Sequence, residues 1–372
     1  MGHAGDGASI GLDCVLIADD LTGACDAAAA FAVAGYRTTA CLHPAPDNDF
    51  AEILAISTDT RETDPSTAEC TVSEAARALS GYSPSILFKK IDSTLRGNVK
   101  EEIAAVLSAF ACDAAIICPA FPKLHRIVVD GKLYIHGTLD KPIEILDRLR
   151  DLRLEPCVSA RAEEIGEAIS RGARMVLVDA SSDDELDELV ARTKTLKRLI
   201  LWVGSGGLAS AVARTLASKN GGRLSEPPRR GPLAFCIGSD HAVTAAQQDY
   251  FYARHSVLTV PPIGIDPREL ATALDQGRHV WIQIPRNPDY SKELGRLLRP
   301  ISPAAMLLSG GYTASLVCRA AGPLTIDIRD EILPGIPYGV IRGGDCDGRI
   351  VVTKSGAFGS ADALSRIADF FS

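Results

Sequence analysis

The sequence predicts an α/β protein with two domains, each built on a mostly parallel sheet flanked by helices. Short apolar runs alternate with helical stretches along most of the chain, which is typical of strand–helix–strand units. The chain has 372 residues, enough for two domains. Residues 219–231 combine Gly-Gly, Pro-Pro and charge without periodicity, as a linker does. We therefore expect an N-terminal domain over residues 1–218 and a C-terminal domain over residues 232–372.

The N-terminal half carries most of the predicted strands and helices. The predicted strands are the short apolar runs Leu12–Ala18, Thr39–Leu42, Ile53–Ile56, Ile86–Ile91, Ala114–Cys118, Met175–Val178 and Leu199–Val203. The predicted helices are Ala24–Ala34, Pro65–Leu79, Val99–Phe110, Asp183–Thr195 and residues 204–217. Pro65 is compatible with a first helical turn. Asp130–Gly131 lies between two alternating runs and predicts a β-hairpin over residues 127–135.

The C-terminal half repeats this alternation. Its predicted strands are Leu233–Ile237, Val257–Val260, Val280–Ile284, Met306–Leu308, Leu324–Ile328 and Ile350–Thr353, and its predicted helix is Leu364–Phe371. The longest uncharged run, residues 300–318, is long enough to span a membrane, but Pro300, Pro303 and Gly310–Gly311 interrupt it. It therefore predicts a strand, a glycine turn and the start of a helix, and no membrane partner.

Composition excludes several classes of protein. Lys plus Arg number 39 and Asp plus Glu number 47, so the basic excess of a nucleic-acid-binding protein is absent. The ten cysteines form no CxxC pair and the seven histidines no HExxH motif, so we assign no metal ligands and expect a reducing compartment. The first ten residues lack the apolar region of a secretory signal. We expect a soluble, cytoplasmic protein.

Two adjacent carboxylates follow the first predicted strand, in the segment IADDLTGACDAA (residues 17–28). Asp19 and Asp20 stand where the strand ends, and a helix opens directly after them. Ligands bind at the carboxyl ends of strands in open α/β sheets. A carboxylate there can take a proton from a hydroxyl or hold Mg²⁺. An ordinary helix cap is the structural alternative, but the pair of acids, with Asp26 a further turn on, favours a functional site.

Further polar side chains follow other predicted strands. The segment STDTRETDP (residues 57–65) contains Arg61, and PAFPKLHRIVVDG (residues 119–131) contains Arg126. The segment FKKIDSTLRGN (residues 88–98) contributes Lys89, Lys90, Asp92, Ser93, Thr94 and Arg96. The two lysines point to opposite faces of a strand, so at least one faces inward or toward a cleft. These cations, carboxylates and hydroxyls suit a small polyhydroxy anion as ligand.

Three glycine turns follow strands of the C-terminal half. The turn in LLSGGYTAS is Gly310–Gly311, that in CIGSDHAVTAAQ is Gly238–Ser239, and KSGAFGS begins with Lys354. Backbone N–H groups at such turns, with a helix dipole behind them, favour phosphate, although none of the turns is a Walker A motif. A rival signal is GSGGLA (residues 204–209), which matches a dinucleotide-binding turn. The acid expected about 20 residues further on would be Glu226, inside the linker.

Together these segments resemble the four-carbon acid sugar kinase family. The matching stretches are IADDLTGACDAA, STDTR, FKKIDSTLRGN, PAFP with Arg126, WVGSGGLA, SGGYTA, EILPGIPYG and VTKSGAFG, in the family's order over about residues 13–365. The resemblance implies ATP-dependent phosphorylation of the terminal hydroxyl of a sugar acid such as threonate, erythronate or 3-oxo-tetronate. It implies that the N-terminal domain binds the acid, that the C-terminal domain binds the nucleotide, and that the reaction takes place in the cleft between them. The chain departs from the family's usual residues at Tyr312, Asp240 and His125.

The resemblance also implies which residues form the site. It places Asp20, Arg61, Lys89, Asp92, Ser93 and Arg96 on the substrate side, and Ser239, Gly310, Gly311, Thr313 and Gly356 on the nucleotide side. Our interpretation adds Asp19, Lys90 and Arg126 to the substrate side, and Tyr312 and Lys354 to the nucleotide side. Arg61 and Arg96 are expected to bind the carboxylate or hydroxyls of the acid.

The resulting hypothesis is a sugar-acid kinase that uses ATP and Mg²⁺. We expect Asp20 or Asp92 to accept the hydroxyl proton, and the sequence leaves this choice open. Lys89, or else Lys90, would offset developing charge, and Mg²⁺ would bridge the phosphates with few protein ligands. Two alternatives remain, namely a non-catalytic sugar-acid or nucleotide sensor on the same fold and a nicotinamide-dependent dehydrogenase. A homodimer would be ordinary for an enzyme of this kind.

Overall fold

One sheet of 15 strands passes through both halves of the chain. The computed structural model describes residues 12–42, 51–135, 141–150, 157–216, 229–261, 264–322 and 325–372. The strands in these ranges are β1 (Cys14–Ala18), β2 (Thr38–Leu42), β3 (Ile53–Ser57), β4 (Ile86–Lys90), β5 (Ala114–Cys118), β6 (Arg126–Val129), β7 (Lys132–Ile135), β8 (Ile143–Glu144), β9 (Cys157–Ala160), β10 (Met175–Val178), β11 (Ile200–Gly204), β12 (Ala234–Ile237), β13 (Val257–Val260), β14 (His279–Gln283), β15 (Met306–Ser309), β16 (Thr325–Leu333), β17 (Ile336–Arg342) and β18 (Ile350–Lys354). Strands β6, β7 and β8 form a separate small sheet.

Helices cover the large sheet, as the strand–helix alternation predicts. They are α1 (Leu21–Val33), α2 (Pro65–Ser80), α3 (Val99–Phe110), α4 (Ile145–Leu149), α5 (Ile165–Ser170), α6 (Asp183–Lys194), α7 (Gly206–Arg214), α8 (Ala242–Tyr252), α9 (Pro267–Asp275), α10 (Tyr290–Leu298), α11 (Gly311–Ala321) and α12 (Ala363–Phe370). Helix α2 begins after Asp64, whose carboxylate caps it, with Pro65 in its first turn as expected. None of the helices in the described ranges is long and apolar enough to cross a membrane.

The strand order confirms an α/β fold with a mostly parallel sheet, but not one sheet for each domain. The order is β13-β14-β12-β15-β18-β17-β16-β2-β3-β1-β4-β11-β5-β10-β9. The pairs β2–β16, β16–β17 and β17–β18 are antiparallel, and the other neighbours in this sheet are parallel. The expectation of two separate sheets is therefore wrong.

The physical reason is strand β16, which is longer than the predicted run Leu324–Ile328. Its first residues pair with β2, from Thr325 opposite Cys41 to Ile328 opposite Thr38, while its other edge pairs with β17. Two parallel sheets that met at exposed edges would leave unpaired N–H and C=O groups, and β16 and β17 fill that gap. The division at residues 219–231 stays a prediction, since residues 217–228 lie outside the described ranges.

The predicted hairpin is confirmed. Strands β6 and β7 are antiparallel, with Val129 opposite Lys132 across the turn. Asp130 and Gly131 both have positive φ angles, 51° and 70°. Two central residues of this kind define the tight turn whose twist matches the flanking strands.

Helix α1 lies at the centre of the molecule. It contains six alanines between Leu21 and Val33, and ten of its thirteen residues are buried. Small side chains allow close approach, so α1 packs against β2 and α7 of the N-terminal half and against β16 and α11 of the C-terminal half. Polar groups at the start of α1 are therefore held rigidly between the two halves.

Candidate active site

A cavity of about 480 Å³ lies where strands of both halves end. It is lined from one side by residues that follow β1, β3 and β4, and from the other by residues that follow β12, β15 and β18. The residues proposed from the sequence that line it are Asp20, Arg61, Lys90, Asp92, Ser93, Arg96, Arg126, Ser239, Gly310, Gly311, Tyr312, Thr313 and Gly356. Asp19, Lys89 and Lys354 do not line the cavity but stand directly behind residues that do.

Arg61 joins three carboxylates at the end of β1 and β4. Its Nε and Nη2 atoms each donate to Asp19 at 2.7 Å, and its Nη1 atom pairs with Asp20. The same Nη1 lies 3.7 Å from the nearer oxygen of Asp92. Although burial opposes it, the charges of Asp19 and Asp20 raise the pKa of Arg61 well above its usual value. Asp19 therefore positions Arg61, and Arg61 has little charge left over for a substrate carboxylate.

Asp92 is held as a carboxylate. Arg96 Nη2 donates to it at 2.6 Å, and the backbone N–H of Thr94 donates at 2.9 Å. Burial opposes ionisation, but Arg61 and the hydrogen bonds from Arg96 hold the pKa of Asp92 far below its ordinary range. A group with so low a pKa is a poor proton acceptor at neutral pH.

Asp20 stands where the two halves touch. As the cap of α1, its Oδ1 accepts the Gly23 N–H at 2.6 Å. Burial raises its pKa, against the opposing charge of Arg61. A Cβ atom added to Gly311 would lie 2.9 Å from the Asp20 carboxyl carbon, so only glycine allows the start of α11 to approach this closely.

The two lysines of β4 do point to opposite sides. Lys89 is fully buried, where its Nζ pairs with Glu102 at 2.6 Å and donates to the Lys90 carbonyl at 2.8 Å. Lys90 lines the cavity, and its Nζ lies 3.5 Å from Asp26. The sequence left open whether Lys89 or Lys90 would offset developing negative charge, and the structure brings Lys90 to the cavity. Sequence reasoning missed Glu102, because an acid in a first helical turn is ordinary.

The start of α11 fits a phosphate group. Gly310 precedes the helix with φ of 102°, a left-handed conformation that favours glycine, and no side chain caps the first turn. The first N–H groups of a helix have no partner within it. Thr313 lines the cavity beside them, and its buried Oγ1 has no hydrogen-bond partner in the part of the chain that the structure describes. Free N–H groups, a free hydroxyl and the positive end of an eleven-residue helix together favour an anion.

The other two glycine turns pack onto this one. Thr244 links them, since its Oγ1 lies 2.9 Å from the Gly356 carbonyl and 3.1 Å from Ser239 Oγ. Behind Gly356, the buried Lys354 Nζ donates to the carbonyls of Ser355 at 2.9 Å and Gly356 at 3.2 Å. Burial lowers the pKa of Lys354 to about 7. The three turns predicted from the sequence therefore form one wall of the cavity.

The cavity also contains residues that were not assigned to the site from the sequence, six of them within the segments STDTRETDP and KSGAFGS. They are Asp59, Glu62, Thr63, Arg286, Arg319, Ser355, Ala357 and Phe358. Asp59 has a positive φ of 55° and accepts from Ser315 at 2.9 Å and from Arg319 across the cavity. A positive φ at a non-glycine residue is invisible in sequence. No group of three or more Asp, Glu, His or Cys side chains that could hold a metal ion occurs in the described ranges.

The rival dinucleotide signal is explained by packing. A Cβ atom on Gly204 would lie 2.5 Å from the Cys118 carbonyl, and one on Gly207 would lie 2.9 Å from the Cα of Phe121. The glycines therefore let α7 approach the chain's own loop after β5, a packing reason for glycine at these positions. Glu226, the acid that such a site would use, lies outside the described residues.

Two family models match this chain, one in each half. Residues 14–149 match a sugar-binding N-terminal domain, and residues 283–364 match a nucleotide-binding C-terminal domain. Each wall of the cavity thus includes residues from one matched segment: Asp20 to Arg126 on the first, and Arg286, Gly310–Thr313 and Ser355–Phe358 on the second.

Curated relatives match over nearly the full length. The chain is 32% identical to a D-threonate kinase of Cupriavidus necator, over 94% of this chain and 96% of that protein. It is 26% identical to a 3-oxo-tetronate kinase of Pseudomonas fluorescens, over 94% of this chain and 95% of that protein. The fold matches the crystal structure of Haemophilus influenzae protein HI1011 with a TM-score of 0.69, at 19% identity, over 96% of this chain and all of that one. The resemblance seen in the sequence is confirmed, and the chain belongs to the four-carbon acid sugar kinase family.

Proposed function

We propose that this protein is an ATP-dependent kinase that phosphorylates the terminal hydroxyl of a four-carbon sugar acid. The observation that carries the proposal is the cavity in which Asp20, on the sugar-binding side, meets the uncapped start of α11 on the nucleotide-binding side. A kinase needs the acceptor hydroxyl and the γ-phosphate side by side, and it works mainly by positioning and by stabilising charge.

Arg126 is the guanidinium that we assign to the carboxylate of the sugar acid. The other arginines on the cavity wall are paired with carboxylates of the protein: Arg61, Arg96, Arg286 and Arg319. Within the described residues, Arg126 has no carboxylate within ion-pair distance. A free, largely buried guanidinium can bind a carboxylate through two parallel hydrogen bonds.

Asp20 is the group that we assign as proton acceptor, because its raised pKa and its position beside Gly311 suit the task better than those of Asp92. In the step, the substrate hydroxyl oxygen forms a bond to the γ-phosphorus of ATP. The bond from that phosphorus to the bridging oxygen breaks, ADP leaves with the electron pair, and the hydroxyl proton passes to Asp20. Lys90, near the same cluster, offsets developing negative charge.

The nucleotide side would hold the phosphates of ATP through the N–H groups at the start of α11 and the hydroxyls of Ser239 and Thr313. The carboxylates Asp20 and Asp240 lie on opposite walls of the cavity, which suits an ion held mainly by phosphate oxygens. Mg²⁺ bound to ATP would neutralise phosphate charge. The choice of acid, the cytoplasmic location and a homodimer stay predictions.

Ligand stabilisation separates the kinase from the sensor that the sequence left open. For the kinase, a non-hydrolysable ATP analogue with Mg²⁺ and the preferred sugar acid should each raise the unfolding temperature. A ligand at 100 times its Kd stabilises the folded state by about 2.7 kcal/mol. Stabilisation by sugar acids with no effect of the nucleotide at millimolar concentration would contradict the kinase and favour the sensor.

Nucleotide binding should also take up protons through Lys354. Its pKa of about 7 leaves the amine mostly neutral at pH 8, and a phosphate near Ser355 and Gly356 would favour the ammonium form and raise that pKa. We expect uptake of up to about one proton for each nucleotide bound at pH 8, falling toward zero well below pH 7. Calorimetry in buffers of different ionisation enthalpy measures it, and Lys354→Met is the matched control. Equal uptake by the wild type and Lys354→Met would show that another group titrates.

A further inference from the structure

Asp26 is a buried carboxylate with few polar partners in the protein. It lies in α1, six residues after Asp20, and its side chain lines the same cavity with the residue only 5% exposed. Among the described residues, neither of its oxygens accepts a hydrogen bond, and its charged partner is the Lys90 Nζ, in an ion pair of 3.5 Å. Burying a carboxylate without hydrogen bonds is costly. By contrast, the carboxylates of Asp20 and Asp92 each accept several.

Glycine backbone and two phenylalanine rings pack close to Asp26 among the described residues. A Cβ atom on Gly206 would lie 2.7 Å from Asp26 Oδ1 and 2.7 Å from the ring of Phe121. The ring of Phe358 packs edge-on against the ring of Phe121, with centroids 6.3 Å apart. A Cβ atom on Gly335 would contact the Phe358 ring and lie 3.5 Å from Asp26 Oδ1. Glycine has no side chain and phenylalanine has no polar atom, so these neighbours supply no side-chain donor to Asp26, which also lines the cavity. Burial accordingly raises the pKa of Asp26, with Lys90 opposing.

A second orphan group lines the same end of the cavity. The Arg126 residue is 5% exposed, its Nε has no hydrogen-bond partner, and its guanidinium lies 5.0 Å from the centre of the Phe358 ring. Phe358 thus has Arg126 over the face of its ring, and both Phe358 and Asp26 lie close to Gly335. Among the described residues, Asp26 has the Lys90 ammonium at 3.5 Å as its charged partner and accepts no hydrogen bond, and Arg126 Nε is a donor without an acceptor. A ligand with a hydroxyl next to a carboxylate would satisfy both.

We propose that Asp26 contacts the substrate and accepts a hydrogen bond from the 2-hydroxyl of the sugar acid, while Arg126 binds the neighbouring carboxylate. This inference rests on the proposed function and adds the 2-hydroxy acid group as the feature that is recognised. Asp20 and Asp26 are six residues apart, which separates them by about 9 Å along the helix axis. That spacing suits a short chain whose acid end lies near Asp26 and whose terminal hydroxyl lies near Asp20.

The test compares substrates that lack one hydroxyl. The wild type should phosphorylate the preferred four-carbon acid and lose about 10–100-fold in kcat/KM on its 2-deoxy analogue, 3,4-dihydroxybutanoate, because a charged hydrogen bond is lost. Asp26→Ala should lose a similar factor on the full substrate and little more on the 2-deoxy analogue. On the 3-deoxy analogue, 2,4-dihydroxybutanoate, kcat/KM relative to the full substrate should fall by the same factor in Asp26→Ala as in the wild type. Asp26→Asn keeps the size and shape of the side chain and serves if Asp26→Ala folds poorly. It should also reduce the difference in kcat/KM between the full substrate and the 2-deoxy analogue.

Glu331→Gln is the matched control. Glu331 is a largely buried carboxyl whose pKa is raised to about 7 by burial and, less strongly, by Asp26, but it does not line the cavity. It should keep the full penalty against the 2-deoxy analogue. A penalty retained in both Asp26 variants would overturn the role of Asp26 while leaving the kinase intact. Absence of turnover by the wild type on every acid would instead overturn the proposed function, and this inference with it.

Discussion

Asp20→Asn should lower kcat by about 10²–10⁴-fold, the range typical for loss of a general base. Asparagine is as good a helix cap as aspartate, so the bond from the Gly23 N–H and the start of α1 should survive. What is lost is the carboxylate that faces Gly311 and the pair with Arg61. The measurement is ADP release under saturating substrates, with the unfolding temperature recorded for the same preparation.

Asp92→Asn is the comparison that separates a proton acceptor from a positioning residue. Asp92 binds Arg96 and faces Arg61, so its loss should disturb substrate binding and raise KM more than it lowers kcat. The rate of the wild type should fall as the pH drops through the pKa of Asp20, because the acceptor must be unprotonated. A kcat of Asp20→Asn close to that of the wild type, with a larger loss in Asp92→Asn, would reverse the two assignments.

Lys89→Met should be the most destabilising single change behind the site, by about 3–5 kcal/mol. It leaves the Glu102 carboxyl, which is 1% exposed, with the hydroxyl of Thr60, at 2.7 Å, as its one remaining donor among the described residues. Removing one partner of a buried pair costs more than removing both, so Lys89→Met with Glu102→Leu should recover most of the loss. Urea unfolding of the wild type, both single variants and the double variant measures this.

The same double variant tests the catalytic role that the sequence predicts for Lys89. A folded double variant whose kcat falls more than about 10²-fold would support a direct role in catalysis. A modest loss would mean that Lys89 acts by positioning Lys90, whose carbonyl it binds at 2.8 Å. A double variant as unstable as Lys89→Met alone would contradict the account of the buried pair.

Local structure followed closely from local sequence. Helix α3 and strands β5, β10 and β13 have the predicted bounds, because a continuous apolar run or a clear periodicity marks each of them. Strand β17 was missed, since Pro337 and Gly339 disfavour a strand and are tolerated here only through pairing on both sides. The joining of β16 to β2 was missed because contact between residues nearly 300 positions apart leaves no local pattern.

The sequence predicted most residues of the candidate site, but not which side chains pair with one another or which are buried. Residues at strand ends such as Asp20, Arg61 and Gly310 could be found because position in an α/β fold marks them. Burial and pairing decide what each can do, and neither is visible in the chain. Lys89 and Lys90 are adjacent and chemically identical, yet one is fully buried with Glu102 and the other lines the cavity.

The most direct test of the account is ADP release from Mg·ATP across a panel of acids. The panel contains D- and L-threonate, D- and L-erythronate, the 3-oxo-tetronates and D-glycerate, with product phosphorylation followed by ³¹P NMR. We expect turnover with at least one four-carbon acid, none without acid, and a phosphate ester on the terminal hydroxyl. Absence of turnover on every acid by well-folded protein, or phosphorylation at another position, would contradict it.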